Sequence, residues 1–179
     1  MFISANSDLS ELEQYPRLLK SWHWYSGLCE KLGRLPSRQD INPADIKFAL
    51  GYEMLVEVNR ESKNPRVRLI GVVTEEFMGI PRSPISSPTG KNYDTFLTPE
   101  SRVAATNKLT ETLDQGQPIF GTASYNRKDG RSFGYVRLIF PLHSQTDEPE
   151  MVFLIFQDFT ENEDREVGAQ KEEEMKRWF

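Results

Sequence analysis

The order of strand-like and helical patterns predicts an α+β fold in which five antiparallel strands form one sheet and helices gather on one of its faces.

 

Two strand-like segments near residue 60 are followed by a helical region, and three more strand-like segments lie towards the end of the chain. The last group contains Asp129 and Gly130, a dipeptide that is a strong signal for a hairpin between neighbouring antiparallel strands. The length of 179 residues favours one domain.

Residues 1–33 are interpreted as an N-terminal amphipathic helical segment. Pro16 predicts a kink or a restart of the helix, and Gly33 predicts its end. Six residues at alternating spacings of three and four share one helix face: Tyr15, Leu18, Trp22, Tyr25, Cys29 and Leu32. This stripe is rich in aromatic residues and resembles coiled-coil a and d positions, so we predict a homodimer interface there. The alternative is that the stripe covers the chain's own sheet.

Residues 34–160 are interpreted as the main domain, and its elements follow from local signals. Asn42 and Pro43 predict the start of a short helix, and Thr98 and Gly116 predict the limits of a longer one. The predicted strands are residues 52–58, 67–73, 119–127, 132–142 and 151–159, and the predicted helices are 43–50, 74–79 and 99–115, with a proline- and serine-rich loop at 80–90 and a short element at 92–97.

Residues 161–179 are interpreted as an acidic charged tail. Seven acidic and four basic residues give this segment a charge of −3, out of −5 for the chain. Because its residues are nearly all polar, we expect it to extend as a helix or fray without joining the core.

Composition disfavours several classes of protein. A net charge of −5 and a pI of about 5.2 are unlike those of nucleic-acid binders. The longest apolar run has six residues (151–156), too few to cross a membrane, and the N-terminus lacks the features of a secretory signal, so we expect a cytoplasmic protein. The sequence also lacks the G-x-S-x-G, H-E-x-x-H and P-loop motifs, so we expect no enzyme activity.

Three segments taken together resemble the PAS domain family, and the similarity covers roughly residues 35–160. GVVTEEFMGI followed by PTGKNYDTFLTPE resembles the helical segment of the family, GQPIFGTASYNRKDGRSFGYVRLIFPL its two-strand hairpin, and FQDFTE the end of its last strand. The N-terminal pattern is similar to a bacterial subfamily in which one PAS domain makes up nearly the whole protein. The resemblance implies a sensory or interaction module, often dimeric, with room for a small ligand between helices and sheet.

The resemblance also implies where a ligand would lie. The helical segment that lines PAS pockets corresponds here to Phe77, Met78, Tyr93, Phe96 and Leu97. The same residues would suit a filled core, and we expect a filled or small cavity. Flavin-binding relatives carry a cysteine in a mid-domain helix, whereas Cys29 lies in the N-terminal helix and is interpreted as a small buried residue. His23 and His143 are interpreted as surface residues, so we expect no flavin, haem or metal cofactor.

Arg137 is the candidate ligand-binding residue that the alternation of its strand singles out. Tyr135, Arg137 and Ile139 share one face, and a charged group within a sheet needs a partner. A carboxylate on a neighbouring strand, Glu53 or Glu57, is the favoured partner, and an anionic ligand or a facing subunit is the alternative.

These observations predict a stand-alone PAS-type signalling module that acts by binding a protein partner, with a small ligand in the cavity as a modulator. The alternative is a dedicated small-molecule sensor whose ligand occupancy is the signal. An enzyme of unknown chemistry is disfavoured. Nucleic-acid and membrane partners are not expected.

Overall fold

The computed structural model describes residues 10–157, apart from residues 82, 84 and 145–148. Helix α1 (Ser10–Glu13) leads into α2 (Pro16–Leu32), and Gly33 ends α2 in a left-handed conformation at φ 66°. Further along lie two 3-10 helices (Arg38–Asp40 and Pro43–Ala49), strands β1 (Glu53–Val58) and β2 (Arg66–Ile70), helix α3 (Val72–Phe77), a 3-10 turn (Tyr93–Thr95), helix α4 (Pro99–Gln115), and strands β3 (Ile119–Asn126), β4 (Ser132–Pro141) and β5 (Glu150–Gln157).

The five strands form one antiparallel sheet in the order β2-β1-β5-β4-β3. The two terminal strands of the sequence, β1 and β5, therefore meet at its centre, and the hairpin β3–β4 lies on one side of them. The predicted α+β fold with a five-stranded antiparallel sheet is confirmed. The predicted hairpin turn is also present, with Gly130 at φ 84°.

Two hydrophobic clusters lie on opposite faces of this sheet. Alternate residues of β4 belong to different clusters: Tyr135 and Ile139 lie on the face that α4 covers, and Leu138 and Phe140 lie on the face that α2 covers. Because side chains alternate along a strand, any shift of β4 changes the packing on both faces.

The aromatic stripe of α2 packs against the chain's own sheet. Leu18 and Tyr25 are fully buried there, Trp22 and Cys29 are nearly so, and Tyr15 and Leu32 are partly exposed. The Tyr25 hydroxyl donates a 2.6 Å hydrogen bond to the carbonyl oxygen of Pro141, and its ring stacks on Phe140 at 4.5 Å between centroids. The structure therefore agrees with the alternative, in which the stripe covers the chain's own sheet. The four buried side chains of the stripe are not available to a second copy. The homodimer itself, which was predicted through this stripe, stays a prediction.

Several boundaries show how local signals and tertiary contacts compete. The limits of α4 agree with the prediction, and the Thr98 side chain accepts a hydrogen bond from the Ser101 amide. Strand β2, predicted to reach residue 73, ends at Ile70 because the chain turns sharply at Gly71 and α3 begins at Val72. The expectations for the acidic tail, residues 161–179, lie outside the described residues.

Candidate functional site

A small cavity lies between the helical segment and the sheet. Its volume is about 20 Å³, which is enough for roughly one water molecule. The lining is almost entirely apolar and aromatic: Met54, Met78, Tyr93, Phe96, Leu97, Ala105, Tyr125, Phe133, Tyr135, Arg137, Leu154 and Phe156. The cavity is small, as the sequence suggested, and its one charged lining residue is an arginine.

Arg137 extends from the centre of β4 into this cavity and is only 6% exposed. Its Nη1 lies 3.4 Å from the hydroxyl oxygen of Tyr135. Its guanidinium carbon lies 5.4 Å from the centroid of the Tyr125 ring and 5.7 Å from that of Tyr135. The surroundings of this buried cation are therefore aromatic faces and a phenol hydroxyl.

The predicted carboxylate partner of Arg137 is wrong. Glu57 pairs instead with Arg68 on the neighbouring strand, at 3.2 Å between Oε2 and Nη1. Glu53 pairs in register with Ile155, whose side chain belongs to the cluster on the α2 face, whereas Arg137 points to the opposite face. Within the described part of the chain, Arg137 forms no ion pair with a carboxylate.

Tyr135 and Tyr93, two of the tyrosines that line the cavity with Arg137, stay neutral at ordinary pH. Burial raises the pKa of Tyr135 and of Tyr93 well above the usual range. Burial also opposes the charged form of Arg137, but the nearby phenols, Tyr135 foremost, outweigh it and raise the Arg137 pKa. The guanidinium is therefore charged while Tyr135 and Tyr93 are not, and this leaves a positive charge in largely apolar surroundings.

Five of the predicted lining residues surround the cavity together: Met78, Tyr93, Phe96, Leu97 and Arg137. The sixth, Phe77, ends α3, and its side chain lies outside the described residues. Sequence reasoning missed the contributions of β3 and β5, including Tyr125 and Phe156. The predicted hairpin places Tyr125 opposite Phe133 on neighbouring strands, and this pairing could have indicated that Tyr125 lines the cavity.

Phe96 separates the cavity from a surface groove of about 680 Å³, which we call the basic groove. Four basic residues and one acidic residue line it: Lys91, Arg127, Lys128, Arg131 and Asp129. Nη1 of Arg127 donates to the carbonyl oxygen of Met78 at 2.8 Å, and Nη1 of Arg131 donates to that of Gly79 at 2.7 Å. Arginines from the hairpin turn thus hold the end of α3 beside the cavity.

The cysteine and the histidines lie away from the cavity. Cys29 is buried in the cluster on the α2 face, across the sheet, and burial raises the pKa of its thiol. His23 and His143 are exposed, as predicted. Among the described residues, no group of three His, Cys, Asp or Glu side chains is arranged to hold a metal ion. No helix in the described part of the chain is long and apolar enough to cross a membrane.

The architecture is a five-stranded antiparallel sheet with a helical segment beside a small cavity on one face. A family model described as "PAS domain" matches residues 15–156, and the chain belongs to the PAS domain family, whose fold is that of a sensor-type signalling module. The match begins at Tyr15, so it includes all of α2.

Solved structures with a similar fold have low sequence identity to this chain. The LOV domain of a blue-light activated histidine kinase from Erythrobacter litoralis is 19% identical, with a TM-score of 0.42, and the match covers 60% of this chain and 94% of that one. The PAS domain of a protein from Colwellia psychrerythraea is 14% identical, with a TM-score of 0.43, covering 62% and 88%. The LOV domain of the blue-light photoreceptor Aureochrome1 is 12% identical, with a TM-score of 0.44, covering 72% and 90%. No curated protein matches the chain.

The residues around the cavity do not fit a flavin. A volume of about 20 Å³ is far below the roughly 300 Å³ or more of ordinary cofactor pockets. The chain's one cysteine lies on the other face of the sheet, so it cannot reach a ring bound in this cavity.

Proposed function

We propose that this chain is a signalling module that acts by binding a protein partner, and that a small ligand in the Arg137 cavity modulates the binding. The proposal includes a cytoplasmic location, a homodimeric state and the absence of catalysis. The observation that supports it most directly is that β4 packs on both faces, against the cavity on one face and under α2 on the other.

Strand β4 joins the cavity to the surface formed by α2. Tyr135 and Arg137 line the cavity, while the intervening and following residues, Val136, Leu138 and Phe140, pack under α2. Each of these three is fully buried, so a displacement of β4 has no free space to absorb it. This packing supports a route from ligand occupancy to the α2 side of the molecule.

An exposed apolar groove supports the binding of a protein. Leu50 and Leu69 are 45% and 44% exposed and lie at a groove of about 200 Å³ beside the edge strand β2. Clustered exposed apolar side chains of this kind are typical of contact surfaces. We assign this groove, in place of the α2 stripe, to the proposed homodimer.

Leu69→Glu should convert the homodimer to a monomer, because it places a charge in an apolar contact. Light scattering at micromolar concentration measures the mass. Val103→Glu is the matched control, since Val103 is similarly exposed (49%) but lies on α4, and this variant should remain dimeric. A monomeric wild type, or dissociation by both variants, would remove the homodimer from the proposal.

A dedicated small-molecule sensor is the second candidate, and Arg137 favours it. A buried cation without a carboxylate partner costs free energy, and a bound anion would offset that cost.

Filling the cavity should alter the α2 side of the molecule. We expect Ala105→Met, or the milder Ala105→Val, to change amide hydrogen exchange in α2 by about fivefold, the lower end of ordinary coupling between sites. Ala105 lines the cavity from α4, whereas Val103→Met on the exposed side of the same helix is the control and should leave α2 unchanged. If exchange changes in α4 alone, the proposed route through β4 is wrong.

A further inference from the structure

We propose that the Arg137 cavity is an anion site for a small monocarboxylate with an apolar body. This inference deepens the proposed function and rests on it, because it names the chemical class of the ligand that the cavity receives.

The positive charge of Arg137 in the cavity favours a ligand with a negative charge. One guanidinium lies among the phenol side chains of Tyr125 and Tyr135, and within the described residues no carboxylate balances it. A ligand with one negative charge would neutralise the site. An inorganic phosphate dianion would instead leave an excess charge in apolar surroundings, which is unfavourable.

The hydrogen-bonding groups favour a carboxylate. A guanidinium presents parallel N–H donors that match the two oxygens of a carboxylate. The hydroxyl of Tyr135, 3.4 Å from Arg137 Nη1, is close enough to donate to the same anion. The other walls, among them Leu97, Phe133 and Phe156, offer only apolar surface to the rest of the ligand.

The volume of the cavity requires that part of the wall move. Phe96 is partly exposed and is shared by the cavity and the basic groove, and Met78 has a flexible side chain. Arg127 pairs with Asp129 at 2.7 Å between Nη2 and Oδ2, and the other three cations of the basic groove, Lys91, Lys128 and Arg131, would concentrate an anion at this wall. Displacement of Phe96 would then join the groove to the cavity and admit the ligand to Arg137.

The test is titration of the full chain with propionate and benzoate, measured by calorimetry and by the shift in melting temperature. Propionamide and benzamide are neutral counterparts of the same shape, and inorganic phosphate is the dianion. We expect the carboxylates to bind and raise the melting temperature, and we expect the amides and phosphate not to bind.

Three variants decide whether Arg137 is responsible. Arg137→Met should weaken carboxylate binding by at least about 30-fold, the loss typical of a buried charge pair, and should raise the melting temperature of the ligand-free protein by about 3 °C. Arg137→Lys should bind with intermediate affinity, because it keeps the charge and loses the paired donors. Arg68→Met removes an arginine outside the cavity and should bind as the wild type does.

Each contrary result has a distinct meaning. Equal binding of amides and carboxylates, or undiminished binding by Arg137→Met, overturns the anion site while the cavity remains a ligand site as proposed above. Binding of phosphate that requires Arg137 overturns the monocarboxylate class. If neither carboxylate binds, the inference fails, and the exchange experiment on Ala105 decides the proposed function independently of ligand charge.

Discussion

Replacing Tyr25 with glutamate should unfold the protein. The Tyr25 side chain is fully buried between α2 and the sheet, stacks on Phe140 and donates its hydroxyl hydrogen to the Pro141 carbonyl. Glutamate would lose this packing and bring a charge into a site with no cation among its described contacts. We expect a loss of more than about 4 kcal/mol in the free energy of unfolding, measured by circular dichroism during urea and thermal denaturation.

Two controls separate the charge from its position. His23→Glu adds the same side chain at an exposed position two residues away on α2 and should change stability little. Tyr25→Phe removes only the hydroxyl and should cost about 1–2 kcal/mol. If Tyr25→Glu instead stays folded, and a wild-type dimer dissociates into folded monomers, the stripe is an interface after all and α2 does not belong to the core.

Replacing Gly71 with alanine should destabilise the corner between β2 and α3 by about 3 kcal/mol or more. Gly71 has φ −73°, which any residue adopts, so the cause is steric rather than conformational. A Cβ atom at this position would lie 2.2 Å from the carbonyl oxygen of Gly51. The obstacle is backbone, so relieving the clash requires the β1 and β2 ends of the chain to separate.

Two other glycines provide matched controls for this prediction. Gly27 lies within α2 with no heavy atom within 4 Å of the added Cβ, and Gly27→Ala should stabilise the helix by up to about 1 kcal/mol. Gly121 lies in β3 with equally open space, and Gly121→Ala should change stability little. Chemical denaturation of the three variants measures the differences. A Gly71→Ala variant as stable as Gly121→Ala would show that the corner adjusts at little cost.

The fold followed from sequence wherever the signal was local. The limits of α4, the end of α2 at Gly33 and the β3–β4 hairpin all agree with the prediction. Each depends on residues within a few positions of one another: a cap, a left-handed glycine or a turn dipeptide. The faces of β4 were also predictable, because alternation along a strand is a local property.

The candidate site was only partly predictable. The resemblance placed Met78, Tyr93, Phe96 and Leu97 in the helical segment, and alternation drew attention to Arg137. The partner assigned to Arg137 was wrong, because β5 lies between β4 and β1 and the facing direction of Glu53 depends on register across those strands. Sheet order and register are set by contacts between distant segments, which the spacing of residues within one segment does not report.

By itself, the sequence determined the helices, the strands, the hairpin and the apolar face of α2. Tertiary structure decided what that face covers, since the same stripe suits either a second copy or a sheet. It also decided that α3 begins at Val72, where Gly71 approaches the backbone of Gly51, and that Arg137 faces tyrosines instead of a carboxylate. The physical reason is the same in each case: amphipathic periodicity specifies that a surface must be buried, while only the packing of distant segments specifies against what.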